Sequence, residues 1–187
     1  IIVQYQPKTA VTTRTVMYCG DSITEGVGGA SKTVTGFAWE ITKNLNTASR
    51  VVERFNGGLG STVPFDIAST TANAGYAMRL RRQIAAGIIP DCVVYSAFSP
   101  NNTAPLTAQY VNKFRWGVGE IKSLCDQYGI PLVIWGCLPA TNAAKAWGAT
   151  DSLRVAWDAE LKTGAWGTYV DVVPAISTTT HASGQIE

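Results

Sequence analysis

The sequence predicts an α/β protein: a three-layer α/β/α sandwich around a five-stranded parallel sheet. Three observations predict it. Five short apolar runs with the look of buried strands recur along the 187 residues, segments of helical periodicity separate them, and a polar, often glycine-bearing stretch follows each run. Parallel strands need long crossovers, which helices supply, and right-handed crossovers set helices on both faces of the sheet.

Thr15-Val-Met-Tyr-Cys19 reads as the first strand and stops at Gly20-Asp21-Ser22. From Gly36 to Asn46, Phe37, Ile41 and Leu45 share one helical stripe. Val51 to Phe55 is the second strand, followed by Asn56-Gly-Gly-Leu-Gly-Ser-Thr62. Met78 to Ala86 is helical in pattern, and Pro90-Asp91 leads into a third strand, Cys92 to Phe98. Residues 107 to 128 carry Tyr110, Phe114, Val118, Ile121, Cys125 and Tyr128 at the spacing of a long amphipathic helix. Leu132 to Trp135 is a fourth strand, Asp151 to Lys162 a helix capped by Asp151, and Tyr169 to Val173 a fifth strand.

Length and composition bound the function. A chain of this size is most simply one domain, 1–187, with residues 1–14 as an N-terminal extension. A net charge of +2 with no basic cluster beyond Arg79, Arg81 and Arg82, a trio that suits a solvated helix face, argues against nucleic acid as a partner. No stretch reads as a membrane span or a signal peptide, although a removed signal or a domain cut from a longer chain would look the same; the compartment and the oligomeric state are not legible. Cys19, Cys92, Cys125 and Cys137 fall on apolar strand-like runs or a helical face, where a buried free thiol is expected. With a single histidine and no CxxC spacing, the chain is poorly supplied for a metal site, and no cofactor is implied.

In open α/β sheets, ligands bind outside the carboxyl ends of the strands, so the segments released there carry the candidate chemistry. Gly26 to Thr33 nearly matches a phosphate-binding loop, but Ser31 replaces the glycine that lets the backbone wrap phosphate, and the loop starts well past the strand end. Ser22 has two readings. One is a turn serine capping a short helix. The other is a nucleophile, which needs a base within reach and donors for a developing oxyanion. The only imidazole, His181, follows the last strand and falls on the same rim.

Gly20-Asp21-Ser22-Ile-Thr-Glu-Gly26 resembles the first motif block of the SGNH (GDSL-type) hydrolases, a family of esterases, lipases and carbohydrate deacetylases on a flavodoxin-like sheet. Asn101, in Phe98-Ser-Pro-Asn101-Asn102, stands where the family's third block has its asparagine, with departures on both sides. Gly60 is the best match to the second-block glycine, with Gly75 of Asn73-Ala-Gly75 as its rival. The final Asp-x-x-His block matches only at His181, because Thr178 stands at the acidic position.

The resemblance implies a serine esterase acting on acyl esters, O-acetyl groups on a carbohydrate or polysaccharide being the favoured substrate. Ser22 would be the nucleophile and His181 the general base. The oxyanion would be held by the Ser22 N–H, the N–H of Gly60 or Gly75, and the Asn101 amide, with Asp21 supporting the loop through backbone hydrogen bonds. The imidazole would be oriented, in place of the missing acid, by a backbone carbonyl, by Asp171, or by nothing. Trp147 would offer a ring for sugar stacking or simply pack its loop. The chain ends at Glu187, soon after His181, where the family continues into a packing helix; that implies truncation, processing or an unusual terminus. From another class stands a catalytically silent carbohydrate-binding or adhesive domain, in which Thr178 marks lost chemistry.

Overall fold

All five apolar runs become strands: β1 (Thr12–Gly20), β2 (Arg50–Gly58), β3 (Cys92–Ser96), β4 (Leu132–Trp135) and β5 (Thr168–Val170). The computed structural model describes residues 12–25, 37–58, 75–98, 106–137 and 152–171. Every strand pair is parallel and the order across the sheet is β2-β1-β3-β4-β5. This is the flavodoxin-like order, whose topological switch point lies between β1 and β3.

The strand boundaries shift from the sequence expectation for physical reasons. β1 begins at Thr12 because exposed Thr12, Thr13 and Arg14 still pair with Arg50, Val51 and Val52. β3 ends at Ser96, and Ala97 and Phe98 leave the ladder while still buried.

The helices are α1 (Ser22–Glu25), α2 (Phe37–Leu45), α3 (Tyr76–Ala85), α4 (Ala108–Tyr128) and α5 (Ser152–Lys162). α4 shows both ends of helix chemistry: the Thr107 hydroxyl accepts the Tyr110 N–H at 3.3 Å, and Gly129 ends the helix at φ 65°. Its buried stripe of Val111, Phe114, Val118, Ile121 and Cys125 packs with residues of α3 and α5 against Met17, Cys19, Val93, Tyr95, Leu132 and Ile134. On the opposite face, Ala38 of α2 packs with Val16, Tyr18 and Val52. Helices therefore cover both faces, as the crossover rule requires.

Two expectations need correction. In α2, Ile41 and Leu45 are each 38% exposed, and the residues turned to the sheet are Ala38 and Thr42. Small Ala38 permits close packing, and the Thr42 hydroxyl is anchored twice, to the Ala38 carbonyl at 2.7 Å and the Tyr18 hydroxyl at 3.1 Å. In α3, Arg81 and Arg82 are exposed, but Arg79 turns inward and donates to the Gly20 carbonyl at 2.9 Å. The cap expected at Asp151 lies outside the described residues.

At the carboxyl end of β4, α5 holds the chain by its polar side chains. Asp158 Oδ1 accepts the Cys137 N–H at 2.7 Å and the Tyr169 hydroxyl at 2.9 Å, and its Oδ2 pairs with Lys162 at 3.0 Å. Arg154 donates to the Cys137 carbonyl at 3.1 Å. Burial alone would raise the Asp158 carboxyl, but these donors outweigh it and hold the group below its ordinary 3.8. A lowered carboxyl contributes stability above its unfolded pKa and loses it as pH falls through the folded value. Asp158→Ala should therefore cost about 2–3 kcal/mol at pH 7, because buried donors lose their acceptor. Asp158→Asn should cost less, and its deficit relative to wild type should shrink as pH falls below 3.8. Urea unfolding at pH 7 and at two acid pH values checks both; a deficit that grows with acid would be wrong in sign.

Candidate active site

β1 leaves the sheet at Gly20, and two residues later Ser22 opens α1. So sharp a reversal needs room. A Cβ at Gly20 would overlap the Thr24 side chain, and Thr24 is itself buried. A Cβ at Gly58, the register partner of Gly20, would overlap the Glu25 nitrogen and come within 2.5 Å of the Thr24 carbonyl carbon. Two glycines thus let α1 lie directly across the ends of β1 and β2. Asp21 is 3% exposed, and its main-chain carbonyl accepts the Glu25 N–H at 2.9 Å, closing the short helix. As the first helical residue, Ser22 has no acceptor four residues back for its own N–H.

Beneath this turn lies a polar cluster. The Arg79 guanidinium sits 4.9 Å from the Tyr76 ring centroid, and the Tyr76 and Tyr95 rings meet edge to face at 5.6 Å. Burial first, then the neighbouring Asp21 charge, pushes the Tyr76 hydroxyl well above its usual range. The same burial pushes the Cys19 thiol up to about 12, against the pull of Arg79. Cys125 is likewise pushed up to about 12, and Cys92 and Cys137 are raised, each mainly by burial. All four thiols are free, and at neutral pH none is a thiolate nucleophile. Arg79 also forms a wall of a cavity of about 260 Å³ with Met17, Phe55, Gly57, Gly58 and Gln83.

The other strand ends point to the same rim. Ala97 and Phe98 carry the chain off β3 beside β1, with the Ala97 carbonyl held by the Trp157 indole N–H at 3.3 Å. Asp171 follows β5 and pairs with Lys162 at 3.4 Å. Of the residues singled out in the sequence, Asp21, Ser22, Gly75 and Asp171 are described, Ser22 by its backbone position. Gly75 is the N-cap of α3, with φ −56° and its carbonyl accepting from Met78 and Arg79. Gly60, Asn101, Asn102, Trp147, Thr178, His181 and the loop Gly26 to Thr33 lie outside the described residues. Arg79 is the residue that sequence reasoning missed. Among the described residues no helix is long and apolar enough to cross a membrane, and no group of three or more His, Cys, Asp and Glu side chains gathers as a metal would need.

The close approach of α1 to β2 generates a test. Gly58→Ala should lower stability by about 1–3 kcal/mol, since its Cβ meets backbone that cannot swing aside. Gly119→Ala, within α4 and 3.8 Å from its nearest neighbour on Trp166, should be neutral or stabilising by up to about 1 kcal/mol. Urea midpoints at unchanged slope measure both, and equal midpoints for the two variants would contradict the crowding at Gly58.

No protein-family model matches the sequence, and no curated protein matches it. Solved structures do match. AlinE4, an SGNH-hydrolase family esterase, superposes with a TM-score of 0.65 at 14% identity, over 94% of this chain and 90% of its own. TesA superposes with a TM-score of 0.61 at 15% identity, over 91% of this chain and 87% of its own. The psychrotrophic esterase EstA from Pseudoalteromonas sp. gives 0.62 at 8% identity, over 91% and 86%. Sequence identity this low carries the architecture and not the chemistry. With its parallel sheet in the order β2-β1-β3-β4-β5 and a Gly-Asp-Ser turn at the end of β1, the chain has the SGNH-hydrolase fold.

Proposed function

We propose that this chain is a serine esterase with Ser22 as its nucleophile. The observation that carries the reading is the position of Ser22: it is the first helical residue after β1, at the switch point where sheets of this order bind ligands. The fold it shares with esterases adds support by analogy.

Ser22 Oγ attacks the ester carbonyl carbon while the His181 imidazole takes the hydroxyl proton. The negative charge that forms on the carbonyl oxygen is met by the Ser22 N–H, the Asn101 side-chain amide, and the N–H of Gly60 or Gly75. Collapse breaks the bond to the alcohol, which leaves with the proton from imidazolium. Water, activated by the same imidazole, then attacks the acyl-serine and releases the acid. Asn101 follows Phe98 by three residues in sequence, and β3, the strand before it, pairs with β1, which suits the proposed oxyanion donor. O-acetyl esters on a carbohydrate are the proposed substrates, by the resemblance of the Gly20-Asp21-Ser22 block.

Ser22→Ala should reduce kcat/KM on short-chain acyl esters by about 10³-fold or more with no change in unfolding midpoint. A fluorophosphonate probe should label the wild-type protein at Ser22 and leave the variant unlabelled. Absence of labelling in active-site titration would favour the silent, carbohydrate-binding reading that Thr178 permits. With one histidine in the chain, activity should rise with pH through a single ionisation, because only neutral imidazole accepts the serine proton. Thr178→Asp should raise that apparent pKa and increase kcat, since a carboxylate near the ring favours imidazolium. A profile that does not move would place position 178 out of reach of the ring.

A further inference from the structure

We infer that Arg79 is a positioning residue for the nucleophile, fixing the direction in which the chain leaves β1. The inference rests on the assignment of Ser22 above. It draws on contacts that the Gly-Asp-Ser block itself does not contain. Arg79 comes from α3, 59 positions away, and its Nη2 donates to the Gly20 carbonyl at 2.9 Å. Gly20 is the last residue of β1 and lies two before Ser22. Its carbonyl belongs to the peptide plane that joins Gly20 to Asp21, so holding that oxygen fixes the peptide unit immediately before the one that carries Ser22.

The guanidinium is itself held. Its carbon sits 4.9 Å from the Tyr76 ring centroid, and that ring packs edge to face on Tyr95. Both tyrosines are fully buried, so the platform cannot drift. Asp21 lies close enough for its charge to act on Arg79, so the guanidinium addresses the residue after Gly20 as well as the Gly20 carbonyl. A glycine at this junction has no side chain to resist rotation of its peptide plane, which makes an external anchor more important than elsewhere. An ammonium offers a point charge without the planar fork and the face that stacks on Tyr76, so lysine is an incomplete substitute.

A purely structural role would change stability and leave the surviving folded enzyme at full speed. A positioning role changes turnover, because displacement of a reacting atom by about 1 Å costs on the order of 10²-fold. The test measures kcat, KM and the rate of fluorophosphonate labelling for wild type, Arg79→Met, Arg79→Lys and Arg81→Met, with unfolding midpoints for each. Arg81 pairs with Glu120 at 2.7 Å on the exposed side of the same helix and serves as control. Arg79→Met should lose about 10- to 100-fold in kcat and in labelling rate with KM within about two-fold. Arg79→Lys should fall between it and wild type, and Arg81→Met should match wild type. Because Arg79 lines the cavity between α3 and the ends of β1 and β2, methylguanidine should restore part of the lost rate to Arg79→Ala and none to Ser22→Ala. If Arg79→Met does not fold, Arg79→Lys and the rescue of Arg79→Ala decide. Folded Arg79 variants with wild-type kcat and labelling rate overturn the inference while leaving Ser22 as nucleophile. A wild-type protein that neither hydrolyses esters nor takes the probe overturns the Ser22 assignment and this inference with it.

Discussion

At the carboxyl end of the sheet the strands stop pairing before their last backbone groups reach water, and helix side chains must take over those hydrogen bonds. A buried carbonyl or N–H left without a partner costs about 1–3 kcal/mol, so the demand is strict. The structure answers it at the ends of β1, β3 and β4. Arg79 takes the Gly20 carbonyl, Trp157 the Ala97 carbonyl, and Asp158 and Arg154 take the N–H and carbonyl of Cys137. All four side chains come from α3 or α5. The rim is therefore built jointly by strand ends and by polar residues on helices that otherwise serve the core.

That constraint explains why the turn after β1 can be so abrupt. Gly20 and Gly58 remove the steric barrier, letting α1 lie over both strand ends. Neither glycine brings a side chain of its own to anchor the backbone there. An anchor from outside is what remains, and the guanidinium stacked on Tyr76 supplies it. Burial of Cys19 between these groups keeps its thiol protonated, so it does not compete as a nucleophile at the turn.

Much of this was legible in the sequence, and the failures are instructive. β4 was read to the residue, Leu132 to Trp135, because a parallel-sheet strand is a continuous apolar run bounded by turn signals. In α2 the helix forms as the periodicity predicts, but the large Ile41 and Leu45 do not mark its buried face, because Ala38 and Thr42 face the sheet through close packing and a hydroxyl pair with Tyr18. Arg79 falls in a trio with Arg81 and Arg82 that suits a solvated helix face, yet in the structure it and Arg81 both border the buried stripe of Tyr76, Ala77 and Leu80. Periodicity does not distinguish two charges at such a border; one reaches an exposed glutamate and the other a buried carbonyl, and the difference is tertiary. The available hint was composition: a strand end rich in glycine needs polar help from elsewhere. Of the candidate site, the turn bearing Ser22 was legible because it is local in sequence. The partners on the other strand ends are joined to it only by topology.

Asp171 shows how such tertiary pairing bears on the proposed base. As a carboxylate at the end of β5 it is the nearest acid before His181 in sequence, which made it a candidate for orienting the imidazole. In the structure it pairs with Lys162, and Lys162 is held in turn by Asp158 at 3.0 Å. Two carboxylates thus share one ammonium, and Asp171 leans toward α5. A carboxylate already facing an ammonium has less field to lend a third group, and turning it toward a ring would cost part of the Lys162 contact. For the proposed Ser-His pair, this makes Asp171 a weak source of stabilisation for an imidazolium, and the position where the family carries its acid holds Thr178 in this sequence, a hydroxyl dipole in place of a charge.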